Sequence, residues 1–498
     1  MDLPIFIWII LVPVLAAPLV YLAGRLFRSA RLRRLPGWIA LLALAATFVP
    51  FVYAASQLAN GHTLTYTLGS VQLQMDGLGL LLAGVTLGLG MLVTLYSGPY
   101  LAKERGQEKF YSMLVLMIGM ISGLGCATDL FNLWLWFEAM AITSYLLVAF
   151  YREQPASLEA GFKYLVQSAA GSVMVVIGIA LVLAATGTLG LAQIRHSAVI
   201  SPLLLAGGAL LVIGFGVKAA LVPLHTWLPD AHSQAPSGVS AMLSSVVIEA
   251  GLVAMLRTLA ALYAVSSAWY LLLIGFGVLN MLVGNLMALR QTQVKRLLAY
   301  SSLAHVGYML LGLGITFYTG LADGAQGSLF HLLTHALMKG LAFLAAGALL
   351  YCLYISAGDH KPLLLADLAG AAKRYPLAAL GLSLAVLGLG GLPPLAGFMS
   401  KWQIFVAGFQ TRNIWLEVLV VFAALNSVLS LAYYAPLVNS LYRLKPSERV
   451  LKGGRLPIGM AVPLLVLSLV VVVLGVWPGL VNWLTAPAAR ALLASFSG

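Results

Sequence analysis

Six ionisable residues stand inside otherwise apolar stretches of this chain: Glu138, Lys163, Lys218, Glu249, Lys339 and Lys401. A charged side chain near the centre of a membrane helix costs about 2.5–3.5 kcal/mol on insertion scales. Such residues persist where they pair, face water or carry ions. The chemistry they suit is proton or cation transfer, in which one group's charge changes its neighbour's hold on a proton.

Glu138 lies about nine residues beyond Asp129 in DLFNLWLWFE, close to the middle of its span, where the alternative to transport is a structural ion pair. Lys218 precedes Pro223 by five residues, so its helix breaks just beyond it, and the freed carbonyls would favour a nearby cation. Lys401 follows Pro393-Pro394 in a second interrupted span. Two proline-broken spans, each with a lysine, point to transport sites built from repeats; snorkelling explains either lysine alone but not the matched pair. His331, His335 and Lys339 are spaced i, i+4, i+8 and share one helix face, a stripe able to relay protons. His305 is equally readable as a hydrogen-bonded packing residue. Lys163, four residues after Glu159, reads equally as a helix-end ion pair.

The elements that must position these residues are membrane helices. The chain of 498 residues is 61% hydrophobic and 9% charged, against roughly 25% charged in soluble domains. Spans are expected at 3–24, 36–57, 76–98, 110–127, 129–151, 159–185, 202–226, 237–260, 268–289, 294–317, 326–354, 375–410, 413–440 and 457–482. Asp2 precedes the first run and the basic cluster follows it, the reverse of a secretory signal, so 3–24 is expected to be a retained helix. The net charge of +13 sits in short loops, which argues against nucleic acid as a partner. Basic residues crowd alternate loops: Arg25, Arg28, Arg31, Arg33 and Arg34, then Lys103, Arg105 and Lys109, and so on to Arg443–Arg455. The positive-inside rule makes those loops cytoplasmic and places both termini on the other side. Segment 58–75 is expected to be a short extracytoplasmic hairpin.

Cys126 and Cys352 are too few and too far apart for a disulfide framework or thiolate metal site. The stretch from Pro223 to His232 has no metal-ligand spacing, and no P-loop, dinucleotide or nucleophile–base motif occurs. No metal, no cofactor and no catalytic chemistry of the chain's own are expected; any redox chemistry must come from partners.

VPLHTWLPDAHSQAPSGVSAML (222–243), AYSSLAHVGYMLLG (299–312), HLLTHALMKGLAFLAAG (331–347) and GLPPLAGFMSK (391–401) resemble the signatures of the proton-translocating antiporter-like subunit family. That family comprises subunits of respiratory complex I, membrane-bound hydrogenases and multisubunit Mrp Na⁺/H⁺ antiporters. The stretches at 127–140 and 163–172 look most like the D-type Mrp subunit and its hydrogenase relatives. The resemblance implies an all-α integral membrane fold of about fourteen helices. Helices 1–3 would occupy 1–109, and two inverted five-helix repeats 110–260 and 268–440, with helices 7 and 12 broken. A last helix would lie within 441–498. It also implies a glutamate–lysine pair, Glu138 and Lys218, in the first half-channel, with Lys339 in the second and Lys401 at the exit. His225, His305, His331 and His335 would form the polar axis between them, with Lys163 and Asp129 accessory. The chain departs from the family at Glu249, where a lysine is usual; pairing with Lys218 and direct cation binding are both open there.

The expected function is translocation of H⁺, with Na⁺ left open, by a subunit of a larger complex of antiporter, hydrogenase or quinone-reductase type in a prokaryotic cell membrane. A stand-alone carrier for a small solute and a transport-inactive structural subunit are the alternatives.

Overall fold

The computed structural model describes residues 3–27, 33–197, 200–443 and 445–496; Asp2, Arg28 and Arg31 lie outside the described residues. Among the described residues, twelve helices are long and apolar enough to cross a membrane. α1 (Ile5–Leu26) and α2 (Leu35–Ala59) lead to an antiparallel hairpin, β1 (Leu64–Leu68) with β2 (Val71–Met75), in register from Leu64–Met75 to Leu68–Val71. This is the hairpin expected within 58–75. α3 (Gly77–Tyr100), α4 (Gln107–Cys126), α5 (Leu130–Val148) and α6 (Pro155–Thr186) follow. Asp76 caps α3 by accepting from Gly79 N, and Asp129 caps α5 by accepting from Asn132 N, each satisfying an otherwise orphaned amide.

The shorter apolar helix α7 (Pro202–Lys218) stops at Lys218, and turns through Pro223 lead to α8 (Trp227–Gln234). α9 (Ser237–Ala261) contains a π-helical turn at Leu243–Val247, six residues into the helix. α10 (Trp269–Ala288), α11 (Val294–Thr319) and α12 (Ala322–Leu353) precede a second interruption. There α13 (Pro376–Gly390) ends at Gly391 in the left-handed region, and α14 (Ala396–Gln410) begins after Pro393-Pro394. α15 (Ile414–Arg443), α16 (Ile458–Val476) and α17 (Asn482–Ala494) complete the bundle. The expected span 202–226 is therefore helical only to Lys218, and 375–410 is two separate helices.

Burial sorts the helices. The most apolar stretches of α9 and α11 are wholly buried, whereas those of α2, α6 and α15 are one-third buried. The outer helices turn Phe162, Val173, Leu425 and Val428 outward, which is the surface a hydrocarbon solvent requires. Small residues bring the inner helices together: a Cβ on Gly307 of α11 would lie 2.6 Å from Gly277 O of α10, so that contact requires glycine. The buried lysine, histidine and glutamate residues sit on the central helices and at the two interruptions.

Candidate functional site

At the first interruption Lys218, the last residue of α7, is completely buried. Its ammonium donates to Ser168 Oγ on α6 at 2.7 Å and lies 4.2 Å from the centre of the Tyr164 ring. Tyr164 stacks on Trp227 at 4.0 Å, and the Trp227 indole donates to Val217 O at 2.8 Å. The freed carbonyl is thus taken by an indole rather than by the lysine, contrary to the sequence expectation. The cation instead receives one hydroxyl and the electron-rich face of a tyrosine. Asn280 of α10 closes the loop, accepting from Val222 N at 2.8 Å and donating to Ala220 O at 3.1 Å.

Glu138 on α5 is half-buried, with Oε1 lacking a hydrogen-bond partner. Among the described residues it forms no ion pair within 4.0 Å of Lys218. It is the charged neighbour acting on that lysine, but as a separated charge rather than a contact pair.

The centre of the bundle is different. Glu249 Oε1 lies 3.0 Å from His335 Nδ1, and both side chains are wholly buried. Glu249 therefore partners a histidine of α12, not Lys218. His335 lies 5.2 Å, ring to ring, from His305 of α11, whose Nδ1 is 3.0 Å from His331 Nε2. His331 Nδ1 continues to Ser400 Oγ at 2.8 Å, beside Thr334, which donates to the same oxygen at 2.9 Å. An acid, three imidazoles and a hydroxyl from four helices thus form two buried hydrogen-bonded segments, Glu249–His335 and His305–His331–Ser400, whose facing rings lie 5.2 Å apart. Each imidazole can accept at one nitrogen and donate at the other, the property a proton relay requires.

The remaining lysines flank these segments. Lys339 donates to Leu298 O at 2.8 Å and to Ser301 Oγ, which also receives the Tyr434 hydroxyl. Leu298 O accepts in addition from Ser302 Oγ, itself 2.7 Å from Ser244 Oγ on α9. At the second interruption Lys401 donates to Leu389 O and Ser427 Oγ, both at 2.7 Å, and lies 4.5 Å from the Tyr308 ring centre. Here a carbonyl near the end of α13 does hold the cation.

Three expected residues stand apart. His225 is half-buried, with Nδ1 unpartnered and Tyr300 as its ring neighbour at 6.4 Å, away from the other histidines. Asp129 is the cap of α5. Lys163 is exposed and pairs with Glu159 at 2.7 Å and Asp230 at 3.2 Å, so both its proposed helix-end pair and a link to the interrupted helix exist. Asp230 also meets Arg296 at 2.6 Å. Burial alone would raise the Asp230 carboxyl, but hydrogen bonds and charge from Arg296 and Lys163 hold it below its ordinary value.

Sequence reasoning overlooked several polar residues. Lys295, inside the expected span 294–317 but not among its site candidates, opens α11, is buried and donates to Ala235 O. His232 is fully buried, stacked on Phe343 at 4.6 Å, with both ring nitrogens unpartnered; its place in the LPDAH stretch was the available signal. Arg257, inside the expected span 237–260 but not among its site candidates, grips Asp76 through two nitrogens from α9 and donates to Gly125 O.

A multi-pass helical bundle whose ionisable residues face inward, with helices interrupted beside two of them, defines a membrane protein built around a polar interior. Residues 127–427 match the family described as NADH:quinone oxidoreductase/Mrp antiporter, TM. The chain belongs to that family and is an antiporter-like membrane subunit. It is 34% identical over 474 residues to F(420)H(2) dehydrogenase subunit N of Methanosarcina mazei, covering 93% of this chain and 94% of the relative. It is 33% identical over 507 residues to NADH-quinone oxidoreductase subunit N of Desulforudis audaxviator, covering 96% of each. Among solved structures, it resembles a chain of the membrane-bound sulfane sulfur reductase, an archaeal respiratory membrane complex. The TM-score there is 0.88 at 29% identity, over 99% of both chains.

Proposed function

We propose that the chain translocates protons as one subunit of a larger respiratory membrane complex, along the buried line from Lys218 and Glu138 through Glu249 to Lys401. The observation that carries this reading is the linked cluster Glu249–His335 and His305–His331–Ser400, with lysines on either side. A purely structural core has no need of three buried imidazoles and three buried lysines, since apolar packing of the same volume is at least as stable. The matching relatives are named as subunits of a dehydrogenase and a quinone oxidoreductase, which supports assembly with other membrane subunits. Proton flow would be driven by partners, because the chain has no redox motif.

In this reading 202–226, α7 with the turn through Pro223, and 375–410, α13 with α14, are the discontinuous seventh and twelfth of fourteen spans. They belong to inverted repeats over 110–260 and 268–440, after helices 1–3 within 1–109 and before the last helix within 441–498. The arginine-rich end faces the cytoplasm and both termini lie outside. The half-exposed Glu138 faces a neighbouring subunit, where Lys163 would assist. Lys218 and Glu138 load the proton; Glu249 and His335 pass it inward; Lys339 and the paired histidines receive it; Lys401 releases it. His225 and Asp129 stand off this route.

The test is proton pumping by the assembled complex carrying Lys218→Ala or Lys401→Ala. Pumping should fall in both while assembly is retained. Undiminished pumping in both variants would overturn the proposal.

A further inference from the structure

Between α2, α3 and the start of α16 the bundle has a cleft of about 390 Å³ that takes no part in the polar axis. Its two ends differ chemically. Arg34 and Trp38, both exposed and the latter at 57%, line the mouth at the start of α2, with Gln107 and Tyr111 of α4 buried beside them. Leu41, two turns further along α2, Leu95 of α3 and Pro457 add half-buried apolar walls. Gly98 lines the cleft and keeps it open: a Cβ there would meet only the Tyr111 hydroxyl, at 3.9 Å.

The mouth carries unbalanced positive charge. Arg25 has Glu108 at 3.9 Å, and Arg33 donates to Glu104 O at 2.7 Å, whereas Arg34 is exposed and forms no ion pair among the described residues. An exposed tryptophan beside an arginine marks the headgroup level of a bilayer. An exposed arginine and tryptophan at one end of a cleft whose walls are aliphatic along α2 and α3 complement one kind of molecule, with an anionic phosphate at one end and acyl chains at the other.

We propose that this cleft is a specific site for an anionic phospholipid, its phosphate on Arg34 and one acyl chain along Leu41 and Leu95. The lipid would lock α2 against α3 and α16, fixing the N-terminal helices to the rest of the subunit.

Native mass spectrometry of the purified complex, with phosphatidylglycerol or phosphatidylcholine titrated in, tests it. Phosphatidylglycerol should bind the wild type in preference, Arg34→Gln should weaken it about fivefold, and Gly98→Leu, which fills the groove, should abolish it. Arg412→Gln, outside the cleft, should leave binding unchanged. Equal retention of phosphatidylcholine, or an unaltered affinity in both Arg34→Gln and Gly98→Leu, would overturn the proposal. So would competition by inorganic phosphate alone, which would reveal a headgroup site with no chain. Cross-linking of the Gly98→Cys variant to another subunit would instead assign the cleft to a protein helix and equally overturn it.

Discussion

Glu249 Oε1 and His335 Nδ1 meet at 3.0 Å with neither side chain exposed, and the other atom of each group, Glu249 Oε2 and His335 Nε2, has no hydrogen-bond partner. A buried carboxyl–imidazole contact can hold one proton on either partner while its net charge stays constant. A lysine at this position would add a third cation beside Lys339 and Lys401. Glu249 instead supplies an acid to a region rich in bases.

Glu249→Gln keeps the shape and a hydrogen bond to His335 but removes the exchangeable proton. Pumping should fall about a hundredfold, the low end of what a positioned proton donor contributes, with the complex still assembled. Glu249→Asp should retain part of the activity. Proton uptake by vesicles containing each variant, set against assembled complex on native gels, provides the check. Wild-type pumping by Glu249→Gln would remove the dyad from the path.

Lys401 bridges two elements, donating to Leu389 O on α13 and to Ser427 Oγ on α15. Lys401→Met fills similar volume without the charge, so α13 should lose a partner for its last carbonyls at a cost of about 1–3 kcal/mol. Pumping should collapse, whereas Ser427→Ala, which leaves the carbonyl contact, should reduce it only partly. Thermal stability of the purified complex and initial pumping rates would separate the two effects. Equal rates in Lys401→Met and Ser427→Ala would contradict this ordering.

Asp230 supplies a pH dependence away from the membrane interior. Burial opposes its ionisation, but Arg296 and Lys163 more than offset that, so the folded carboxyl lies below its unfolded value. A depressed carboxyl contributes stability that is complete above the unfolded value near pH 4 and is lost as pH falls through the folded one. The contribution is about 1 kcal/mol or less, because the site is partly open to solvent. In Asp230→Asn the loss of melting temperature on acidification below about pH 4 should be shallower than in wild type. Identical acid profiles would rule out the bridge as a stabilising contact.

Much of this was legible in the sequence because charge inside an apolar run is conspicuous. Glu138, Lys218, Glu249, Lys339 and Lys401 stand out on composition alone, and the two proline-rich interruptions mark where helices stop. The partners were not legible, because they come from other elements. Lys218 was expected to use its own helix's free carbonyl, but Trp227, nine residues on, folds back to take Val217 O. Glu249 meets His335 through packing of α9 against α12, and the π-helical turn just before it shifts the register that helical spacing assumes. Lys295 and Arg257 lie near the ends of their expected spans, 294–317 and 237–260, and hydropathy does not tell where a side chain at a span's end points.

Gly475 of α16 and Gly251 of α9 each press against one of the two interruptions. A Cβ at Gly475 would lie 1.9 Å from Pro394 O, and one at Gly251 would lie 2.8 Å from Ala219 N and 2.9 Å from Lys218 Cβ. The obstacles are mainly backbone, which cannot rotate aside as a long side chain can. Each alanine substitution must therefore displace its interruption, at about 1–3 kcal/mol. The consequences should differ by site: Gly475→Ala shifts the Pro393–Leu395 turn that leads into α14 and Lys401, while Gly251→Ala shifts Lys218 away from Ser168. Both should lower pumping more than they lower assembly, and the double variant with the adjacent lysine replaced should lose little more than the lysine variant alone, since each pair acts through one ammonium. Fully additive losses in pumping rate would show instead that the glycines act on the bundle at large and not through Lys401 and Lys218.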